Sequence, residues 1–99
     1  MVLEIYKTTR QFPDSEKYGL ISQIRRSAVS VAANIVEGYK KKSFKDFNHY
    51  LSIANGSLEE TKYYLLLTHD LGYLKNESYL RISAMADEVG RMLFGFQAH

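Results

Sequence analysis

The sequence has no cysteine, no tryptophan and only one proline, Pro13, in 99 residues. Without cysteine there is no disulfide, no thiol nucleophile and no thiolate metal site. Long apolar runs are also missing. Nothing approaches the ~20 residues that span a bilayer, and the first residues lack the basic segment and apolar stretch of a secretion signal. These absences predict a cytoplasmic protein with no membrane partner. There is no strand-like alternation, internal repeat or low-complexity tract. The six glycines stand singly, so no phosphate-cradling loop is present.

Catalytic patterns are missing too. The histidines, His49, His69 and His99, include no pair at i, i+4 and no HExxH or ExxH pattern. His69 and Asp70 are adjacent and so point to different faces of a helix. The acidic pairs Glu59-Glu60 and Asp87-Glu88 are also neighbours, about 100° apart on a helix, and do not converge as a general acid and base must. No catalytic residue, no metal ligand and no cofactor is expected.

What is present is helical periodicity. Hydrophobic residues make up 45% of the chain, enough for one packed domain over residues 1–99. Val2, Ile5, Thr9 and Phe12 predict a short first helix over residues 2–12, closed by Pro13. Leu20, Ile24, Ala28, Val31 and Ile35 predict a second over residues 15–37, with Gly38 placed as a left-handed C-cap. Ser43 and Asp46 resemble a capping box. They open a third helix that runs to about Leu71 before Gly72, with Phe47, Leu51, Ala54, Leu58, Thr61 and Leu65 inward. Asn76 or Ser78 caps a fourth, whose stripe is Tyr79, Ile82, Ala86, Val89, Leu93 and Phe96. Four helices joined by short connections imply an all-α, antiparallel up-down four-helix bundle.

Two helices carry more apolar surface than one stripe needs. Tyr63 to Leu67 run all the way round the third helix, and Val29, Ala33 and Val36 lie off the core stripe of the second. Val29, Ala33, Val36, Tyr63, Tyr64 and Leu67 are therefore expected at an interface between copies, since such exposed surface otherwise invites aggregation. Gly56 and Gly90 sit inside helices, where close helix contact or simple tolerance would account for them. Asn34 and Glu37 share a face near the end of the second helix, either as capping polarity or as partners across an interface.

Charge is uneven. Residues 1–50 hold nine Lys/Arg against five Asp/Glu, and residues 51–99 hold four against six. The densest part is Lys40, Lys41, Lys42 and Lys45, with Arg25 and Arg26 earlier. Such a bias suits an anionic partner or a plain solvated connection.

The run QIRRSAVSVAANIVEGY at residues 23–39 resembles the QIRRAAVSIPSNIAEGY signature of the 23S rRNA intervening-sequence proteins. The resemblance extends upstream through IYKTT at residues 5–9, Phe12-Pro13 and YGL at residues 18–20. It extends downstream through KSFKDF at 42–47, GSLEET at 56–61 and LGYL at 71–74. Two departures stand out. The family usually begins with a further segment containing tryptophan, so a truncated first helix is expected here. Its signature proline is Ala32 in this chain, which predicts a straighter second helix. The resemblance implies a four-helix bundle that assembles as a ring, often a pentamer, with no enzymatic activity. A related branch is the accessory variability determinant of diversity-generating retroelements, a basic pentameric barrel that works with a reverse transcriptase and nucleic acid.

The expectation is a non-catalytic homo-oligomer that binds RNA or an RNA-handling protein through Arg25, Arg26, Lys40, Lys41, Lys42 and Lys45. The competing class is a structural or protein–protein interaction module with no nucleic-acid binding.

Overall fold

The computed structural model describes residues 1–97. Among them are four α-helices: α1 (Val2–Thr9), α2 (Ser22–Tyr39), α3 (Phe44–Asp70) and α4 (Asn76–Gln97). The 27-residue α3 sets the 44 Å long axis, since a helix rises 1.5 Å per residue. α2 packs along α3, α3 along α4, and α1 lies against α2 with α4 on its other side. This is the expected all-α four-helix bundle. α1, with 8 residues, is much the shortest member. No helix among the described residues is long and apolar enough to cross a membrane.

The core follows the periodic stripes. Ile24, Ala28 and Val31 of α2 meet Leu51, Ala54, Leu58 and Leu65 of α3 and Ile82, Ala86 and Leu93 of α4, all buried. Each large aliphatic side chain buried there stabilises the fold by about 1.5–3 kcal/mol before entropy is counted.

Local chemistry sets the helix ends. Ser43 has extended backbone, and its Oγ accepts the Asp46 amide at 3.1 Å, which starts α3. At the other end Gly72 takes φ +84°. Its amide donates to the His69 carbonyl and the Tyr73 amide to the Thr68 carbonyl, both at 3.0 Å, giving a Schellman close.

The chain departs from the expected boundaries at three places. α1 stops at Thr9, the amides of Gln11 and Phe12 donate to the Thr8 and Thr9 carbonyls at 3.2 Å in tighter turns, and Pro13 then closes the segment. Phe12 is still buried and packs at 5.9 Å against the Tyr73 ring. Residues 15–21 are not regular helix. A tight turn (Asp14–Glu16) and a wide turn (Lys17–Ile21) precede α2, and Ile21 rather than Leu20 is the fully buried side chain there. Gly38 is no left-handed cap: α2 continues through it to Tyr39, and Lys40 ends the helix with right-handed φ −78°. Gly38 is buried because a Cβ there would lie 3.3 Å from both the Phe47 ring and the Tyr50 Cβ. It lets α2 approach α3. α2 runs unbroken across Ala32, the position of the signature proline.

Hydroxyls line the α2–α3 seam. Thr61 Oγ1 lies 2.9 Å from both Ser27 Oγ and the Ser57 carbonyl, either of which can accept its one proton. Ser30 Oγ meets Ser57 Oγ at 2.8 Å, and Asn34 donates to the Ser30 carbonyl at 2.8 Å. Asn34 is therefore used inside the protomer, and Ser27 and Thr61 are buried with partners. The neighbouring Glu16 carboxylate, as an acceptor and by its charge, raises the Tyr73 hydroxyl above its ordinary 10.0. A proton held more tightly in the folded state stabilises below pH 10, and that support is lost as the phenol ionises in alkali.

Candidate nucleic-acid interface

The six cations singled out in the sequence fall into two groups. Arg25 and Arg26 lie in the first half of α2, and Lys40, Lys41, Lys42 and Lys45 gather at the connection between α2 and α3. From Arg26 to Lys40 is ~20 Å along the helix.

Arg25 is occupied inside the protomer. Its Nε donates to Thr9 Oγ1 at 2.9 Å, a terminal nitrogen donates to the Tyr6 carbonyl at 3.3 Å, and the guanidinium stands 4.5 Å above the Tyr6 ring. It fastens α1 to α2. Arg26 reaches across to Glu60 of α3 at 3.2 Å and accepts nothing itself, while also donating to Gln23 at 3.0 Å. Both of its ends are exposed, and such a pair contributes under about 1 kcal/mol. It is available for exchange with another anion.

The connection is different. Lys40 makes only an exposed contact to Glu37, at 3.4 Å. The Lys41 ammonium stands 5.1 Å from the Tyr50 ring, which orients its charge without neutralising it. Lys42 and Lys45 are exposed and form no ion pair among the described residues. Asp46 is the one carboxylate in the first turn of α3. The lysines therefore project a net positive field from one end of a long molecule, on a connection held between two helix ends.

The expected interface residues also have distinct settings. Val29 and Val36 are 42% and 55% exposed, Ala33 is exposed, and Tyr63 is 59% exposed. Tyr64 and Leu67 are half-buried, and Tyr64 packs against the core. Arg26 stands one turn before Val29 and its partner Glu60 one turn before Tyr63 and Tyr64, so along the antiparallel pair the two groups run from that contact toward opposite ends of the bundle. The sequence reading missed Phe94, Leu80 and Met92 of α4, exposed at 74%, 59% and 51%, because each lies between the inward positions of a regular stripe.

An open groove of about 660 Å³ lies between α3 and α4. Both of its cations are already paired, Lys62 with Asp87 at 3.3 Å and Glu59 at 3.6 Å, and Arg91 with Glu88 at 2.6 Å. His69 stacks on Tyr79 at 4.4 Å and contacts Asn76 and Asp70. His49 packs edge-on against Tyr50, and His99 lies outside the described residues. No cluster of three His, Cys, Asp or Glu side chains suited to a metal occurs among the described residues.

No curated protein matches the chain significantly. Among solved structures it is similar to a protein of unknown function from the S23 ribosomal protein family of Bacteroides thetaiotaomicron. The two are 28% identical, with a TM-score of 0.86, over 99% of this chain and 89% of that one. A family model covers residues 1–95, which take in all of α1 to α3 and most of α4, and the chain belongs to the 23S rRNA-intervening sequence protein family.

Proposed function

We propose that the chain is a non-catalytic, self-assembling helical bundle that binds RNA through its α2–α3 connection. The observation that carries this reading is the set of lysines at one end of the molecule, of which Lys42 and Lys45 form no ion pair among the described residues. Four cations per protomer give a salt-dependent attraction for phosphates, with a slope of log K on log salt of about −3 for a single strand.

Self-assembly rests on the separate apolar faces of α2 and α3. Two unlike faces make a head-to-tail contact, and such contacts close into rings when the rotation allows. The family resemblance supplies the number five. A ring repeats the lysine cluster around its axis, and linked weak sites bind one long RNA far more tightly than one site does. The test is a variant with Lys40, Lys41 and Lys42 all changed to Glu, whose oligomeric mass is first matched to the parent by light scattering. Loss of RNA retention at low salt supports the reading. Retention equal to the parent leaves the connection a solvated link and makes the protein an interaction module without nucleic-acid binding.

A further inference from the structure

The basic end of the bundle shows more aromatic surface than packing there requires. Tyr39 is 66% exposed and Phe44 51%. Tyr39 is the last residue of α2 and Phe44 the first of α3, so the rings stand at the two ends of the lysine-bearing connection. Both lean on one half-buried ring, Phe47, at 5.8 Å and 6.3 Å with interplanar angles of 53° and 48°. Phe96 supports Tyr39 from another side at 6.3 Å, edge-on. The two outer rings are thus propped by an aromatic cluster and fixed by helix ends, and each leaves more than half its surface open.

A partner that suits this end needs negative charge and flat apolar faces at close spacing. Unpaired nucleic acid has both. A duplex has the charge but hides its bases in the stack, and an acidic peptide has the charge without the flat faces. We propose that this end of the bundle is selective for single-stranded RNA, with bases stacked on Tyr39 and Phe44 and the adjoining phosphates held by Lys41, Lys42 and Lys45. This deepens the RNA-binding reading above and rests on it. Stacking on an exposed aromatic ring is tolerant of base identity, because every base has a π-face. The selectivity is therefore for strandedness, with little for sequence.

Fluorescence anisotropy at 50 mM salt tests this with three probes: a 12-nucleotide uridine RNA, the same strand paired with its complement, and a polyglutamate peptide. The informative variant is Tyr39→Leu with Phe44→Leu, which keeps apolar bulk against Phe47 and removes both stacking faces. The parent should bind the single strand at least tenfold tighter than the duplex. The leucine variant should lose about tenfold or more for the single strand and nothing for the duplex. If the double variant loses helical signal, Phe44→Leu alone decides, with a several-fold loss expected for the single strand only. Equal affinity of the parent for both RNA forms, or an unchanged leucine variant, overturns the stacking proposal. In that case the sensitivity to Lys40, Lys41 and Lys42→Glu still supports RNA binding through phosphates. Polyglutamate bound as tightly as the single strand overturns it in favour of an acidic protein partner. A parent that binds neither RNA sinks both readings together.

Discussion

Gly38, Gly56 and Gly72 serve the chain in three different ways. At Gly38 an added Cβ meets the Tyr50 Cβ and the Phe47 backbone carbonyl at 3.3 and 3.4 Å, atoms tied closely to α3 that cannot swing aside. At Gly72 the space is open but φ is +84°, which an L side chain resists. At Gly56 the space is open and the conformation is helical, so nothing in the protomer requires glycine. Gly38→Ala should therefore lose about 1–2 kcal/mol despite alanine's better helix propensity. Gly72→Ala should lose about the same through backbone strain. Gly56→Ala should gain about 0.5–1 kcal/mol. Urea denaturation of the three variants checks all the signs in one experiment. A loss at Gly56 would mean that something outside the protomer packs against it.

At the scale of elements, α1 is the member held by the least. Its buried contacts are Ile5 and Thr9, and its polar ties are Arg25 to Thr9 and Tyr6 and Arg81 to Glu4 at 3.3 Å. Arg25→Ala should cost about 1–3 kcal/mol, combining a charge-assisted hydrogen bond with lost stacking on Tyr6. Hydrogen exchange should quicken mainly in α1. Arg25→Lys should recover little, since an ammonium cannot donate to Thr9 while lying flat over the ring. The same residue shows where sequence reading stops. The 3 and 4 spacing located α2, α3 and α4 and nearly all their buried residues, because amphipathic periodicity is a local signal. The lysine cluster was equally legible as adjacent letters. Arg25 and Arg26 were not, since Thr9, Tyr6 and Glu60, which meet them from other helices, lie 16, 19 and 34 positions away in the chain. The turns over residues 14–21 were missed because Leu20 keeps helical spacing with Ile24. Gly38 was misread because a glycine after Glu37 looks like a helix terminator until the ring facing it on α3 is known.

At the scale of the whole molecule, the proposed self-assembly is tested at Ala33. Ala33 is exposed in the protomer, on the same side of α2 as Val29 and Val36. Ala33→Glu is compatible with a folded protomer, but a glutamate caught unpaired between copies costs several kcal/mol. Light scattering should show a homo-oligomer for the parent, with five protomers expected, and a smaller species or precipitation for the variant. A parent of 11.4 kDa at micromolar concentration refutes assembly, and an unchanged variant places Ala33 outside the contact. The brevity of the α2–α3 connection also governs how the molecule comes to its final form. Only Lys40–Ser43 separate two helices that share the densest packing, so their pairing needs almost no loop closure. α1 packs chiefly on α2 and α4, so it is expected to dock after they are laid down. Leu58→Ala should thus slow refolding, whereas Ile5→Ala should leave refolding nearly untouched and hasten unfolding instead. Stopped-flow chevrons distinguish the two, and the reverse pattern would mean that α1 leads the folding.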